Sequence, residues 1–65
     1  MSDGKRFKEI RLLLGMKQAD VATMLGINQG FVSQYEHDKL VNADALEAIQ
    51  KFIQALKRVV NTTTR

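Results

Sequence analysis

The stretch K17-QADVATMLGINQGFVSQYE-36 decides how this chain folds. Val21, Ala22 and Leu25 recur at helical spacing ahead of Gly26, and Val32 and Tyr35 recur behind it, so two short helices are expected around one glycine. Gly26 can adopt the left-handed conformation that stops the first helix, over about residues 18–25. Ile27 is apolar within the turn and should anchor the corner, while Asn28 is a good N-cap for a helix over about 29–37. The outer face of that second helix carries Gln29, Gly30, Ser33 and Gln34, all small or polar, which add little to any core.

Outward from this stretch, residues 3–14 place Phe7, Ile10 and Leu14 at helical spacing, with Ser2 or Asp3 available as an N-cap. Gly15 supplies a second glycine stop, and Met16 is the apolar residue that packs back beyond it. After the loop "HDKLV", Asn42 caps a last helix expected from Ala43 to about Val60, a length of roughly 27 Å. "NTTTR" reads as a frayed tail. The last helix has two adjacent apolar stripes. Leu46, Ile49, Ile53, Leu56 and Val60 form one, and Ala45, Ala48, Phe52, Ala55 and Val59 form the other. An apolar arc of roughly 180° exceeds the ~100° that a surface helix needs against its own domain. Leu46, Ile49 and Ile53 are expected to face the body, which leaves Phe52, Leu56 and Val59 for a second chain.

The chain of 65 residues is short enough that burial of roughly 60% of its unfolded surface leaves a lone core marginal. It has no cysteine and a single histidine, His37, so neither a disulfide framework nor a zinc site is expected, and no cofactor is implied. The absence of proline, four glycines and 45% hydrophobic residues fit an all-α chain. One domain is expected over 1–65, with four helices, or five if the last one breaks. The polar start "MSDGKRFKEI" is unlike a signal peptide, and no apolar run approaches the ~18 residues of a membrane span, which points to the cytoplasm. Ten Lys and Arg against seven Asp and Glu give a net charge of +3 and favour an anionic partner. Ser2, Ser33 and His37 form no nucleophile–base pattern, and there is no glycine-rich phosphate loop, so an enzyme is not expected.

Two short helices joined by a glycine-containing turn make a helix-turn-helix, whose second member lies in the DNA major groove. Residues 17–36 resemble the helix-turn-helix of the phage repressor and Cro family through Gln18, Val21, Ala22, Leu25, Gly26, Ile27, Gln29, Val32, Ser33 and Glu36. The resemblance implies that Gln29, Gly30, Phe31 and Gln34 face the bases. Glutamine can grip adenine through one acceptor and one donor, worth roughly 1–3 kcal/mol of discrimination. It also implies phosphate contacts from Lys17, Gln18, Asn28, Ser33, His37 and Lys39, with Gln18 in addition bracing Gln29, and a buried ion pair between Arg11 and Glu36. Asp38 stands where the family usually has glycine, and an uninterrupted helix over about 43–60 stands where it usually has two short ones. The implied protein is a regulator that binds a palindromic operator in double-stranded DNA as a homodimer, in a bacterial or phage-infected cell. The alternative is a protein-interaction module, antitoxin-like or an adaptor, whose last helix binds a different chain.

Overall fold

The computed structural model describes the backbone of residues 3–63 and the side chains of residues 3–58. Four helices are present: α1 (Asp3–Leu13), α2 (Gln18–Leu25), α3 (Gln29–Glu36) and α4 (Ala43–Thr63), with no strand among the described residues. Helices α2 and α3 form the helix-turn-helix, α1 packs on α3, and α4 packs across both α2 and α3. The fold is thus all-α, and the last helix is unbroken.

The first three helices end in one motif. Beyond each, a residue with positive φ turns the chain: Gly15 at 71°, Gly26 at 67° and Asp38 at 59°. In each case the next amide reaches back five residues, Met16 N–H to the Arg11 carbonyl at 3.1 Å, Ile27 to Ala22 at 3.0 Å and Lys39 to Gln34 at 2.8 Å. This double closure satisfies carbonyls that a helix end otherwise leaves open. Met16 and Ile27, the residues just past the stop, pack on the core. At the third stop that place is held by Lys39, and Leu40 makes the apolar contact one residue later.

Starts are also local. The Asn28 side chain accepts from the Gly30 amide at 2.7 Å, and Asn42 accepts from Ala45 at 3.0 Å. Lys17 cannot cap with its ammonium, yet its own amide donates to the Asp20 carboxylate at 2.9 Å. That acid also sits favourably at the positive end of α2.

The core consists of Phe7, Val21, Ala22, Val32, Tyr35, Ala45 and Ile49. The Phe7 ring is its hub, edge-on to Tyr35 with centroids 5.6 Å apart and to Phe52 at 6.2 Å. Such pairs add about 0.5–1.5 kcal/mol to the burial itself. Burial first, then the carboxylates of Asp3 and Asp38, raise the Tyr35 phenol above its ordinary value near 10, so it stays neutral at physiological pH.

Two expectations are corrected. Leu14 lies beyond the end of α1 and is 53% exposed, because the buried line of that helix is Gly4, Phe7 and Arg11. The i, i+3, i+7 stripe from Gly4 leads to an arginine and turns the three leucines at 12–14 outward. In α4 Ile49 is buried and Leu46 and Ile53 pack on the core as expected, but Ala45 and Phe52 of the other stripe join them, Ala45 buried and Phe52 half-buried. A helix that sends Ile49 fully inward must bring the residues four before and three after onto the same face. Phe52 therefore packs within the protomer, flanked by Leu46 and Ile53. Leu56 is half-buried, and the Val59 and Val60 side chains lie outside the described residues.

Candidate nucleic-acid interface

Helix α3 buries Val32, Tyr35 and Glu36 and leaves Gln29, Gly30 and Gln34 exposed, with Ser33 half-buried beside them. Positions 29, 30, 33 and 34 fall on one face by helical periodicity. That face is polar, small and free of carboxylates. Phe31, expected on the same outer side, is half-buried, so only part of its ring surface is open to a ligand.

A continuous polar chain runs behind this face. Arg11 donates from Nε to Glu36 Oε2 at 2.7 Å and from a terminal nitrogen to Oε1 at 3.2 Å, a forked contact between two buried side chains. Another guanidinium N–H goes to the Met16 carbonyl at 2.7 Å, so the arginine also secures the turn into α2. Gln18 Nε2 donates to the same Glu36 Oε1 at 3.0 Å, and Gln29 Nε2 donates to Gln18 Oε1 at 3.4 Å. One buried ion pair is thereby linked to an exposed amide at the tip of α3. No buried side-chain nitrogen or oxygen among the described residues lacks a partner.

The residues expected at phosphates are dispersed around α3. Lys17 and Gln18 stand at the start of α2, Asn28 caps α3, and Lys39 is exposed in the loop after it. The His37 ring folds back on its own helix. Its Nδ1 lies 2.8 Å from the Ser33 carbonyl, which can only accept, so Nδ1 carries the proton.

Sequence reasoning missed Gly4. A methyl at that position would clash with the Tyr35 carbonyl oxygen and lie 2.8 Å from that of Glu36, so α1 and the end of α3 meet backbone to backbone. It also missed why Asp38 replaces glycine: its carboxylate accepts the Gly4 amide at 3.3 Å and caps α1 across the fold. A charge that would be unwelcome near phosphates is directed to a helix N-terminus, where it is favourable. Asp38→Asn should keep both the left-handed turn and the cap while removing the charge. Its thermal midpoint should change little, and its affinity for random duplex should rise. A fall in random-duplex affinity would count against a DNA-facing corner.

No helix among the described residues is long and apolar enough to cross a membrane, and no group of His, Cys, Asp or Glu there could hold a metal ion. Neither the curated proteins nor the solved structures give a match to the chain. A helix-turn-helix family model matches residues 7–57, from the Phe7 hub of the core through most of α4. With that match over most of the chain, and with the turn geometry and exposed α3 face described above, the protein belongs to this helix-turn-helix family of DNA-binding transcription regulators.

Proposed function

We propose that the protein is a sequence-specific regulator that binds a palindromic operator as a homodimer, with α3 as the recognition helix. The observation that carries this reading is the exposed Gln29–Gly30–Gln34 face anchored through Gln18 to the buried Arg11–Glu36 pair. Exposed amides cost a monomer nothing in water. Holding one in place through a buried charge pair makes sense where its orientation is used. Gln29, Gly30, Phe31 and Gln34 would meet bases; Lys17, Gln18, Asn28, Ser33, His37 and Lys39 would meet phosphates.

Selection of binding sites from random duplexes tests this directly, and a recovered set with no common sequence would refute it. Gln29→Ala and Gln34→Ala should each lose about 1–3 kcal/mol of preference at one base position, with unchanged melting. Equal losses on specific and random DNA would remove them from base reading. Lys39→Ala should weaken binding to all sequences alike and lower the slope of log affinity against log salt by about 0.9 for one phosphate.

Dimerisation through the outer half of α4 would bring two recognition helices about 34–36 Å apart, one turn of DNA. Because the Phe52 ring packs on Phe7, Phe52→Lys would damage the fold, and Leu56→Lys is the cleaner probe. It should turn a dimer into a folded monomer in sedimentation and reduce operator affinity much more than random-sequence affinity.

A second reading rests on a specific feature. Leu13 is 86% exposed, with Leu12, Leu14 and Met24 each more than half exposed, and apolar surface of this kind commonly meets another protein. The chain would then be an antitoxin-like or adaptor module with a foreign partner. Molecular mass in solution, with and without DNA, separates the two.

A further inference from the structure

We propose that the groove between α1 and α4 binds a small amphipathic carboxylate, an aromatic or branched apolar body bearing one acid group. The Tyr35 hydroxyl and the cations Arg6 and Lys57 are its polar partners. The proposal goes beyond the DNA-binding reading and does not depend on it.

The groove follows from how the helices are placed. Helix α1 packs on α3 and α4 packs across α2 and α3, so a cleft is left between α1 and α4. Its volume is about 340 Å³, at the small end of the roughly 300–1,000 Å³ usual for ligand sites. Phe7, Ile10, Tyr35 and Ile53 supply the apolar walls. Ile10 and Ile53 are only half-buried by the fold itself, and an apolar body laid between them would take more of their surface out of water.

Tyr35 distinguishes this cleft from an ordinary gap between helices. The residue is 9% exposed, yet its hydroxyl makes no hydrogen bond among the described residues. A tyrosine buried to this extent ordinarily has a partner for its O–H. No described side-chain oxygen that is sealed from solvent lacks a partner, so this one is reached from outside, and the groove is the opening that Tyr35 lines. The phenol stays protonated at physiological pH and offers a donor, which calls for an acceptor on the ligand. Charge at the rim favours an anion. Arg6 and Lys57 stand there on α1 and α4, both exposed and neither in an ion pair among the described residues. Asp3 is the one acid in the lining and offsets only one of the two cations. Tyr35 belongs to the buried face of α3, turned away from Gln29, Gly30 and Gln34, so an occupied groove leaves the outer face of α3 clear.

The test titrates the whole chain with phenylacetate and follows the backbone amide NMR signals of Ile10, Tyr35 and Ile53. These should shift to saturation with a dissociation constant of roughly 1–10 mM, ordinary for so small a ligand. Neutral phenylacetamide should bind about 3–10-fold more weakly, and the cation phenethylammonium more weakly still. Tyr35→Phe keeps the ring in the core and should melt like wild type while binding phenylacetate about 2–10-fold more weakly. Arg6→Gln combined with Lys57→Gln, both at exposed positions, should lower affinity by about 3–10-fold. Absence of a saturable shift at these amides overturns the proposal, and so does equal binding of the three probes. Phenylacetate affinity unchanged in both variants also overturns it. A marked loss of stability in Tyr35→Phe would show that the hydroxyl is bonded within the fold, and would count against the site. Shifts at the same amides that grow with protein concentration, without any probe, would show a second copy of the chain in the groove and overturn the small-ligand assignment.

Discussion

Gly4→Ala should destabilise the protein by about 3 kcal/mol or more, the upper end of what an added methyl costs in a packed interior. The site explains the size of the effect. The new carbon would clash with the Tyr35 carbonyl oxygen and crowd that of Glu36, and backbone cannot swing aside as a side chain can. Relief requires α1 to move off α3. That movement would break the Asp38 cap on the Gly4 amide and loosen the Phe7–Tyr35 contact. At roughly 0.05–0.15 kcal/mol per residue, a chain this short has only a few kcal/mol in reserve, so much of the variant should be unfolded at physiological temperature. Gly30→Ala is the matched comparison. There the new methyl meets only the Asn28 side-chain oxygen, at 3.1 Å, and alanine is the better helix former by about 1 kcal/mol. Denaturant titration should therefore find one glycine replacement severe and the other close to neutral or slightly stabilising. Similar midpoints for both would mean that α1 does not approach α3 so closely.

Arg11→Met should cost about 3–5 kcal/mol, since it leaves the buried Glu36 carboxylate without its cation. Gln18 would still donate to Glu36, and one neutral amide cannot replace a forked guanidinium. The Met16 carbonyl would lose its donor in the same step, which loosens the turn between α1 and α2. Replacing both partners, as Arg11→Met with Glu36→Leu, should recover much of that loss, because an apolar pair of similar volume avoids the unpaired charge. Thermal melting of the four proteins in the cycle decides the point: a double variant as unstable as the single would show that the pair itself, not the stranded charge, stabilises the fold.

Much of the architecture was legible because its signals are local. The glycines at 15 and 26, the caps Asn28 and Asn42, and the alternation of buried and exposed residues in α2 and α3 act over a turn or two of helix. They set the starts of the four helices and the stops of the first three within a residue, whereas α4 runs on to Thr63, three residues past its expected end and into the expected tail; they also set aside the Gln29–Gln34 face as one that no core requires. The pairing of Arg11 with Glu36 came by another route, from the resemblance of residues 17–36 to known repressors; periodicity alone would have put leucines where the arginine is buried.

Tertiary structure decided the rest. Whether Phe52 joins Ile49 on the inner face of α4 or turns outward depends on where the rest of the fold leaves room, and an arc apolar on both sides carries no mark of the choice. Gly4 and Asp38 are 34 residues apart, and neither has a neighbour in sequence that forecasts their contact. A glycine near an N-terminus reads as flexibility, and an aspartate after a helix reads as a turn. Only when α1 is laid against the end of α3 does the first become a site with no space for a methyl, and the second a cap. Hydrogen-bonding groups within a turn of one another are fixed by covalent geometry, so the sequence by itself determined the helices and the exposed polar face of α3. Backbone approach between distant segments follows from how all the side chains pack at once, and that packing exists only in the assembled fold.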